Sequence, residues 1–480
     1  MKRIIFIVWL LVPLPLLVAN QEVFNKTFGG TENDFGHTAV QTAEGGYIVC
    51  GQTDSYGFGS NLKPDMWIIK LDPRGNTEWE KTYGGKEADV AFAIQQTADL
   101  GYIVAGTTSS FGKGYPSIWI IRLDAKGDSV WSAWFEGSVV STARSVAQTA
   151  DGGYLISGSG KENILKLDKN GKREWGKKYS WVLCAVEPTS DGGCIAAGDT
   201  IYKPQNWGYI PALTVVKLDS AGNKEWSNPL GDRFLGSAFS VQQTSDGGYI
   251  VSGDSIAEKS AYDHSHYALA VKLDKQGKIA WKYFGPEYSA AQSIRQTENG
   301  GYTAAGNTLD ADHGMNVLVF RLDYNGKEKW QKSYGNPTLW EYASSISQTS
   351  GKGFIVAGQT ESSGAGRYDI WVLKLDENGN FEPTAIPGME KEYPQKQLFV
   401  QNYPNPFSQS TTITFNLPEP EFVTLHVYDI SGRISETLDC GYFPPGESSV
   451  EWRRKNRTGG ILLFRLEAGK WSGTGRFVIQ

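Results

Sequence analysis

Residues Gln148 to Gly158 read QTADGGYLISG, and close copies of this stretch recur along the chain. QTADLGYIVAG at Gln96, QTSDGGYIVSG at Gln243 and QTSGKGFIVAG at Gln348 share its length, its central turn and its apolar ending. A short alternating run, a Gly-rich turn and a second apolar run together are typical of a β-hairpin. A hairpin that returns at a regular spacing indicates a repeat architecture.

The spacing of the repeat gives the number of units. The Gln-Thr pairs that precede this hairpin start at 41, 96, 148, 243, 296 and 348, and Pro188-Thr189 fills the one gap. The seven units are about 52 residues apart, except for one shorter unit. In each unit a Gly closes the second strand, a third strand ends in Leu-Asp, and Asp-x-x-Gly turns the chain into a fourth strand. Four strands in each of seven units predict an all-β fold, a seven-bladed β-propeller.

The last unit lacks its fourth strand, and the N-terminus supplies a match for it. Residues Phe24–Gly30 read FNKTFGG, which aligns position by position with WEKTYGG at Trp79–Gly85. We therefore predict that the N-terminal strand completes the last blade and closes the ring, which leaves no exposed sheet edge at a seam. An open solenoid of seven β units is the alternative, but it would need capping repeats.

Length and composition predict an exported protein of more than one domain. A chain of 480 residues exceeds one simple core. Residues 1–20 carry two basic residues and then an apolar run, which indicates a secretory signal peptide. A membrane anchor is the alternative, but Pro13 and Pro15 interrupt this short run. We expect the propeller over 21–381, a Pro-rich linker over 382–397 and a small Ig-like β-sandwich over 398–480.

The segment 398–480 carries four recognisable motifs: NYPNPF at 402–407, TTITFNLP at 411–418, VYDISGR at 427–433, and the Gly-Gly pair at 459 with RL-x-AG ending at 469. Together they resemble the C-terminal sorting domain of the type IX secretion system of Bacteroidota and relatives. The sequence WRRKNR at 452–457 and the terminal Gln480 depart from that family, which usually has more Asp and Gly there and ends in Lys. A sandwich with no sorting role is the alternative.

That resemblance implies a route and a partner. The signal peptide would take the chain to the periplasm, and the type IX machinery would carry it across the outer membrane through residues 398–480. The sorting domain is usually removed, and the cargo is released or attached to the cell surface. We expect a mature monomer without a transmembrane segment. The net charge of −6 and the absence of a basic block predict no nucleic-acid partner.

The repeated residues look structural rather than catalytic. The Asp-x-x-Gly-x-x-x-Trp turn partly resembles the tryptophan-docking motif of pyrroloquinoline quinone dehydrogenases, but it is one residue shorter and has Lys or Arg where they have Ala. Because the motif is the same in every unit, we interpret its Trp as packing between blades and expect no cofactor. The Asp that starts each such turn can cap backbone N–H groups.

Cysteine and histidine give only weak indications of chemistry. Cys50, Cys184, Cys194 and Cys440 do not form a disulfide framework; Cys184 and Cys194 flank one turn out of register with each other. His264 and His266 are weak metal candidates, because a His-x-His pair on an extended chain places both rings on one side. A solvated polar loop is the alternative.

The connections between strands divide into two faces. The Asp-Gly-Gly and Asp-x-x-Gly turns are short and alike, and we call their side of the ring the uniform face. The other connections differ in every unit and form the variable face, which suits recognition. Its aromatic residues are our candidate ligand-binding set: Tyr56, Tyr115, Tyr202, Trp207, Tyr262, Trp340 and Tyr342. They could instead only pack their own loops.

One different residue per unit is expected just inside the variable face, at the mouth of the channel: His37, Phe92, Arg144, Cys184, Phe239, Gln292 and Ser344. We favour a binding module for a glycan or a protein. A polysaccharide hydrolase or lyase is the alternative and needs a close pair of carboxylates, for which the loops offer Asp263, Glu287, Asp310, Asp312 and Glu341. A purely structural surface component is the third interpretation, since fold alone does not decide function.

Overall fold

The computed structural model describes residues 23–57, 63–112, 115–136, 141–179, 182–202, 210–230, 236–260, 263–309, 314–381, 396–398, 400–417, 420–428, 434–454, 460–469 and 471–479. The chain divides into two compact units, Met1–Pro383 and Thr384–Gln480. The predicted signal peptide and residues 382–395 of the predicted linker lie outside the described residues. Within these ranges no helix is long and apolar enough to cross a membrane.

In its described residues the first unit consists of seven four-stranded antiparallel sheets. The chain begins with β1 (Phe24–Phe28). Sheets 1 to 3 comprise β2 (Asp34–Gln41), β3 (Tyr47–Thr53), β4 (Asp65–Leu71) and β5 (Thr77–Tyr83); β6 (Asp89–Gln96), β7 (Tyr102–Thr108), β8 (Ser117–Leu123) and β9 (Ser129–Phe135); and β10 (Thr142–Gln148), β11 (Tyr154–Ser159), β12 (Ile164–Leu167) and β13 (Arg173–Lys177).

Sheets 4 to 6 comprise β14 (Val182–Pro188), β15 (Cys194–Tyr202), β16 (Ile210–Leu218) and β17 (Lys224–Pro229); β18 (Ala238–Gln243), β19 (Tyr249–Ser260), β20 (Asp263–Leu273) and β21 (Ile279–Glu287); and β22 (Ser289–Gln296), β23 (Tyr302–Leu309), β24 (Met315–Leu322) and β25 (Glu328–Tyr334). Sheet 7 comprises β26 (Glu341–Gln348), β27 (Phe354–Thr360) and β28 (Asp369–Leu375), and its fourth strand is β1. Sequential four-stranded sheets that pack side by side around one cavity make this unit a β-propeller.

The Gln of each Gln-Thr pair recurs because it joins one sheet to the sheet before it. The Oε1 atom of Gln96 accepts a hydrogen bond from the backbone N–H of Ala43, 2.8 Å away in the preceding turn. Gln148, Gln243, Gln296 and Gln348 repeat this contact with the sheets before them. Gln41 does the same with Ser350 at 2.7 Å, so the first sheet is bonded to the last.

The repeated Trp packs between sheets, as the sequence predicts. The ring of Trp79 lies over Gly127 in the Asp-x-x-Gly turn of the next sheet, where a methyl group would come within 2.9 Å of it. The same ring is 6.1 Å from that of Tyr102, the first residue of β7. Each later Trp lies over the corresponding Gly of the following sheet, and each of these glycines has a positive φ that favours Gly.

The N-terminal strand supplies the seventh of these contacts. Strand β1 pairs antiparallel with β28, from Phe24 opposite Lys374 to Phe28 opposite Ile370. The ring of Phe24 takes the place of the Trp, 5.5 Å from the ring of Tyr47 and over Gly75 of sheet 1. The predicted pairing of the N-terminal strand with the last sheet is therefore confirmed.

The repeated Asp and the cation two residues before it have separate structural tasks on the uniform face. Asp72 Oδ1 accepts hydrogen bonds from the N–H groups of Arg74 and Asn76, both at 2.8 Å, and these bonds hold the pKa of Asp72 below its usual value. The same capping recurs at the Asp of every unit. The buried Lys217 lies 2.8 Å from Asp191 of the Asp-Gly-Gly turn.

The second unit has two sheets around one core. The larger sheet orders β29 (Lys396–Gln397), β36 (Trp471–Ile479), β35 (Gly460–Ala468), β32 (Glu421–Tyr428) and β33 (Ile434–Phe443); the smaller orders β30 (Val400–Tyr403), β31 (Ser410–Leu417) and β34 (Gly446–Arg453). In the core, Trp452 stacks on Phe477 at 4.4 Å. Asn405 of the NYPNPF box accepts from Val478 N–H at 2.8 Å and so fixes that box to the last strand.

We predict that Phe24→Ala destabilises the propeller by about 3 kcal/mol, because it removes a buried aromatic ring from the contact between the last sheet and the first. Chemical denaturation of the full chain measures the free energy of unfolding. Lys26→Ala on the same strand is the control and should change it by less than about 0.5 kcal/mol. A loss from Phe24→Ala no larger than that of the control would show that β1 does not hold the ring together.

Lys374 generates a prediction about pH. Lys166, Lys217 and Lys272 each pair with the Asp of their own Asp-Gly-Gly turn at 2.8 to 2.9 Å. Sheet 7 has Gly351 at that position, and burial lowers the pKa of Lys374 from 10.5 to about 8. Between these two values the unfolded chain holds a proton that the folded chain has released, so stability should rise with pH by up to about 1.4 kcal/mol per pH unit.

Gly351→Asp should restore the missing ion pair and remove this rise. The expected result is a variant that is more stable than the parent at about pH 7 and has lost this advantage at about pH 10. Urea unfolding of both proteins across that range measures the free energy of unfolding. The tyrosines titrate in both proteins, so their effect cancels in the difference between the two free energies. Parallel curves for the two proteins would contradict the assignment of the depressed pKa to Lys374.

Candidate functional site

The first strands of the seven sheets line a central cavity of about 430 Å³. The seven residues predicted for the mouth of the channel all lie on its wall. Each of them sits at a shift in register between the first and second strands of its sheet, such as the shift between Gly36 and Thr38 around His37. Such a β-bulge redirects one side chain without breaking the hairpin. The repeat therefore presents one variable side chain per sheet to the cavity.

His37 is a neutral group on this wall. Its ring is 4.9 Å from the ring of Phe92, the bulge residue of the next sheet. Its Nε2 atom is buried and has no hydrogen-bond partner in the described residues. Burial lowers the pKa of His37 to about 4, although a hydrogen bond to Gln52 opposes this. At neutral pH the imidazole is therefore uncharged.

Arg144 carries positive charge into the same cavity. Its side chain is exposed to the cavity, and no described side chain or backbone group makes a hydrogen bond or ion pair with its guanidinium group. This charge acts on Asp199: burial raises the pKa of Asp199 to about 6, and Arg144 acts in the opposite direction. Burial also raises the pKa of the neighbouring Cys184 thiol to about 11, so this cysteine is a protonated thiol at neutral pH. An unpaired arginine is a donor that a bound ligand can use.

A second charged group lies one residue before the Gln-Thr position, nearer the uniform face. Arg295 donates to Ser240 Oγ at 3.0 Å and lies 3.6 Å from Glu187. Burial raises the pKa of Glu187, and the nearby Arg295 lowers it. Among the described residues Glu187 is the one carboxylate on the cavity wall, and Arg295 pairs with it.

The variable face of sheet 7 carries an aromatic patch, which we define as Trp340, Tyr342, Arg367, Tyr368 and Glu361. Trp340 is 44% exposed, and its ring is 6.2 Å from that of Tyr342. The guanidinium of Arg367 lies over the ring of Tyr368, with Glu361 3.5 Å from its Nε atom. Burial, then Tyr368 and Glu361, raise the pKa of Tyr342 to about 12, so its hydroxyl stays protonated and can donate. The patch combines stacking surface with hydrogen-bonding groups.

The other predicted aromatic residues are only partly described. Tyr115 is 57% exposed. Tyr56 is also exposed, but its ring packs 5.3 Å from Trp67 and its hydroxyl donates to Gly29 O at 3.1 Å, so it partly serves its own loop. Tyr202 ends β15, and nothing is described of its side chain; Trp207 and Tyr262 lie outside the described residues. The seven candidates therefore do not form one continuous surface in the part of the chain that is described.

The carboxylates predicted for an enzyme do not converge in the described residues. Glu341 is fully buried at the start of β26, where it accepts from Asn336 N–H and Thr360 Oγ1, so its prediction as a loop carboxylate is wrong. Glu287 accepts from Ser265 Oγ at 2.6 Å. The side chain of Asp263, and both Asp310 and Asp312, lie outside what is described.

The weak metal candidates have other contacts where they are described. His266 Nδ1 lies 2.8 Å from Asp254 Oδ2. The side chain of His264 is not among the described ones. No three His, Cys, Asp or Glu residues of the described ranges cluster as metal ligands. All four cysteines are free thiols, and Cys194 lies opposite Pro188 rather than Cys184.

Sequence reasoning missed a polar position on the second strand of each sheet. The residue after the Gly that closes each second strand is polar in all seven sheets: Gln52, Thr107, Ser159, Asp199, Asp254, Asn307 and Gln359. Gln52 bonds to His37, and Asp199 accepts from Ala238 N–H at 2.9 Å. The sequence signal for this position is a polar residue, in all seven units, directly after the Gly that closes a buried strand.

Comparison with known proteins gives likenesses of shape only. No protein-family model and no curated protein matches the sequence. The extracellular domain of a putative hybrid two-component system from B. thetaiotaomicron is similar, with 9% identity, a TM-score of 0.42, and coverage of 96% of this chain and 60% of that one. The chain thus spans 60% of the length of that solved structure.

Two further solved structures are similar at the same level. The WD40 domain of Pan2 from Neurospora crassa has 11% identity, a TM-score of 0.48, and coverage of 74% of this chain and 96% of that one. A puromycin hydrolase has 11% identity, a TM-score of 0.43, and coverage of 80% and 58%. The β-propeller assignment itself rests on the sheet order and the contacts between sheets described above.

Proposed function

We propose that this chain is an exported binding protein, secreted or displayed on the cell surface, which recognises a glycan through the variable face of a seven-bladed β-propeller. In this proposal the seven sheets of residues 21–381 are the blades of one closed ring, 382–397 is a linker, and 398–480 is an Ig-like sorting domain. Recognition needs no catalytic group and no cofactor.

The observation that carries the proposal is the aromatic patch. A sugar ring presents a C–H face that packs on an indole or phenol ring, and its hydroxyls need donors and acceptors at the edge of that contact. Trp340 and Tyr342 offer the rings, while Arg367 and Glu361 offer a donor and an acceptor beside them. The unpaired Arg144 at the cavity mouth adds a donor suited to an acidic sugar. A protein partner is the alternative that the same experiment distinguishes.

We predict that the purified chain binds members of a glycan array and that Trp340→Ala weakens this binding about five- to thirtyfold, since stacking on an exposed indole contributes about 1–2 kcal/mol. Exposed Trp134 on β9 offers a matched control, because Trp134→Ala removes an indole of similar exposure from another sheet. Binding that both substitutions weaken equally would contradict the patch as the site.

The same assay separates binding from hydrolysis. Products released from the array glycans would favour the polysaccharide hydrolase or lyase, and would direct attention to the carboxylates at the variable face. An array that shows no binding, together with a protein captured by the wild type but not by Trp340→Ala, would replace the glycan with a protein partner. No binding of either kind would favour a structural surface component.

The second unit supports the proposed route of export. In it the NYPNPF box is tied to the last strand through Asn405, and Phe422 and Tyr442 form an exposed ring pair at 5.1 Å that could contact the machinery. Large exposed apolar groups often mark interaction sites.

We predict that deletion of 398–480 leaves the protein in the periplasm of a host with type IX secretion, while the full chain reaches the medium or the cell surface. The double variant Phe422→Ala and Tyr442→Ala should keep its fold, since both rings are exposed, and should be secreted several-fold less. Fractionation and immunoblotting measure the distribution. Equal export of the deleted chain would contradict a sorting role.

A further inference from the structure

Two junctions between neighbouring sheets bury a pair of carboxylates face to face. At the junction of sheets 7 and 1, Asp369 begins β28 and Asp34 begins β2, and both are at most 1% exposed. The chain crosses between them at Gly29, where a Cβ would lie 1.8 Å from Asp369 Oδ1 and 2.8 Å from Asp34 Oδ2. Both carboxylates therefore face the same small space beside a residue that has no side chain.

The next junction repeats this arrangement. Asp65 begins β4 of sheet 1, and Asp89 begins β6 of sheet 2. A Cβ on Gly84 would lie 1.7 Å from Asp65 Oδ1 and 2.9 Å from Asp89 Oδ2. The sequences FGGTEND at 28–34 and YGGKEAD at 83–89 encode the two crossings. Two independent copies of the same geometry indicate a built feature rather than a chance contact.

The hydrogen bonds at the first pair of carboxylates leave one oxygen of each group unsatisfied. Asp34 Oδ2 accepts from Gly30 N–H at 2.9 Å and from Ser55 Oγ at 2.7 Å, but its Oδ1 atom is buried without a partner in the described residues. Asp369 Oδ2 accepts from Gly366 N–H at 3.0 Å, and its Oδ1 atom is likewise buried without a partner among those residues.

Asp89 repeats the pattern of Asp34. Its Oδ2 atom accepts from Gly85 N–H at 3.0 Å and from Ser110 Oγ at 2.6 Å, and its Oδ1 atom is buried with no partner among the described residues. A buried anionic oxygen that lacks a partner costs several kcal/mol, and two carboxylates that share one site also repel each other. No Lys, Arg or His of the described ranges pairs with Asp34, Asp369 or Asp89.

We propose that each of these two junctions binds one divalent cation, Ca²⁺ in preference to Mg²⁺, between the carboxylates of neighbouring sheets. The Asp34–Asp369 pair would hold one ion and the Asp65–Asp89 pair the other. Carboxylate, hydroxyl and carbonyl oxygens are the ligands that Ca²⁺ takes, with irregular geometry that a loop crossing can supply. Mg²⁺ demands a stricter octahedron and keeps its water, which a buried junction accommodates poorly.

Two other junctions provide the chain's own comparison. At the junction of sheets 2 and 3 the corresponding residues are Ser117 and Ser141, a buried neutral pair. At the junction of sheets 6 and 7 they are Asn316 and Glu341, with a single carboxylate. Sheets can therefore pack at this position with no charge or with one charge. Neither of these two junctions carries the double charge of the proposed sites.

Calcium titration of the full chain after treatment with a chelator tests the proposal. Isothermal calorimetry should give two Ca²⁺ ions per chain, and Ca²⁺ should raise the Tm, because a ligand that binds only the folded state stabilises it. Asp369→Asn and Asp65→Asn should each reduce the stoichiometry to one ion, and the double variant should bind none. If circular dichroism shows that Asp369→Asn does not fold, Asp369→Ser takes its place, because it copies the neutral serine junction.

Glu341→Gln is the matched control, since it removes a buried carboxylate from the equivalent position of another junction and should leave two ions bound. The proposal is overturned if the untreated and chelator-treated chains show no saturable Ca²⁺ binding, in which case each carboxyl pair shares a proton instead. It is also overturned if the double variant still binds two ions. Mg²⁺ binding as tight as that of Ca²⁺ would contradict the choice of cation.

Discussion

The rest of the propeller depends on one contact, in which an aromatic ring of each sheet packs on a glycine of the next sheet. A Trp on the fourth strand covers the Gly of the following Asp-x-x-Gly turn, and the turn needs that Gly both for its positive φ and for the space above it. Six sheets supply this aromatic side chain from their own fourth strand. The seventh obtains it from Phe24, at the opposite end of the chain.

This constraint explains where the sequence repeats and where it varies. The two turns of the uniform face, the Gln that bonds to the preceding turn and the capping Asp are all needed for sheets to pack in sequence, so they recur. The connections on the variable face take no part in these contacts. Neither does the bulge residue of each first strand, which points into the cavity. The positions that this packing leaves free to vary are therefore the cavity wall and the variable face.

Patterns that depend on local repetition could be predicted from the sequence. The four strands of each unit, the packing role of the Trp and the match of Phe24 to Trp79 all follow from aligning the units, and so do the seven residues that line the cavity. The β-bulge that directs those residues inward could not be predicted, because a one-residue shift in register is set by pairing across the strands rather than by composition. Glu341 is interpreted from the sequence as a loop carboxylate because its burial depends on contacts that form only in the folded chain, with Asn336 N–H and Thr360 Oγ1. For the same reason the facing aspartates are evident only once sheets 7 and 1 lie side by side.

Strand β1 is separated from β28 by almost the whole propeller in sequence, yet it pairs with β28 from Phe24 to Phe28. Native-state hydrogen exchange of the backbone amides in β1 and β28 tests this most directly. We expect the amides that bond β1 and β28 to each other to exchange only through global unfolding, with the same free energy of opening as the hydrogen-bonded amides of β2 and β3. Exchange of β1 through local opening, at a free energy several kcal/mol lower, would contradict this and would show a ring that closes without its N-terminal strand.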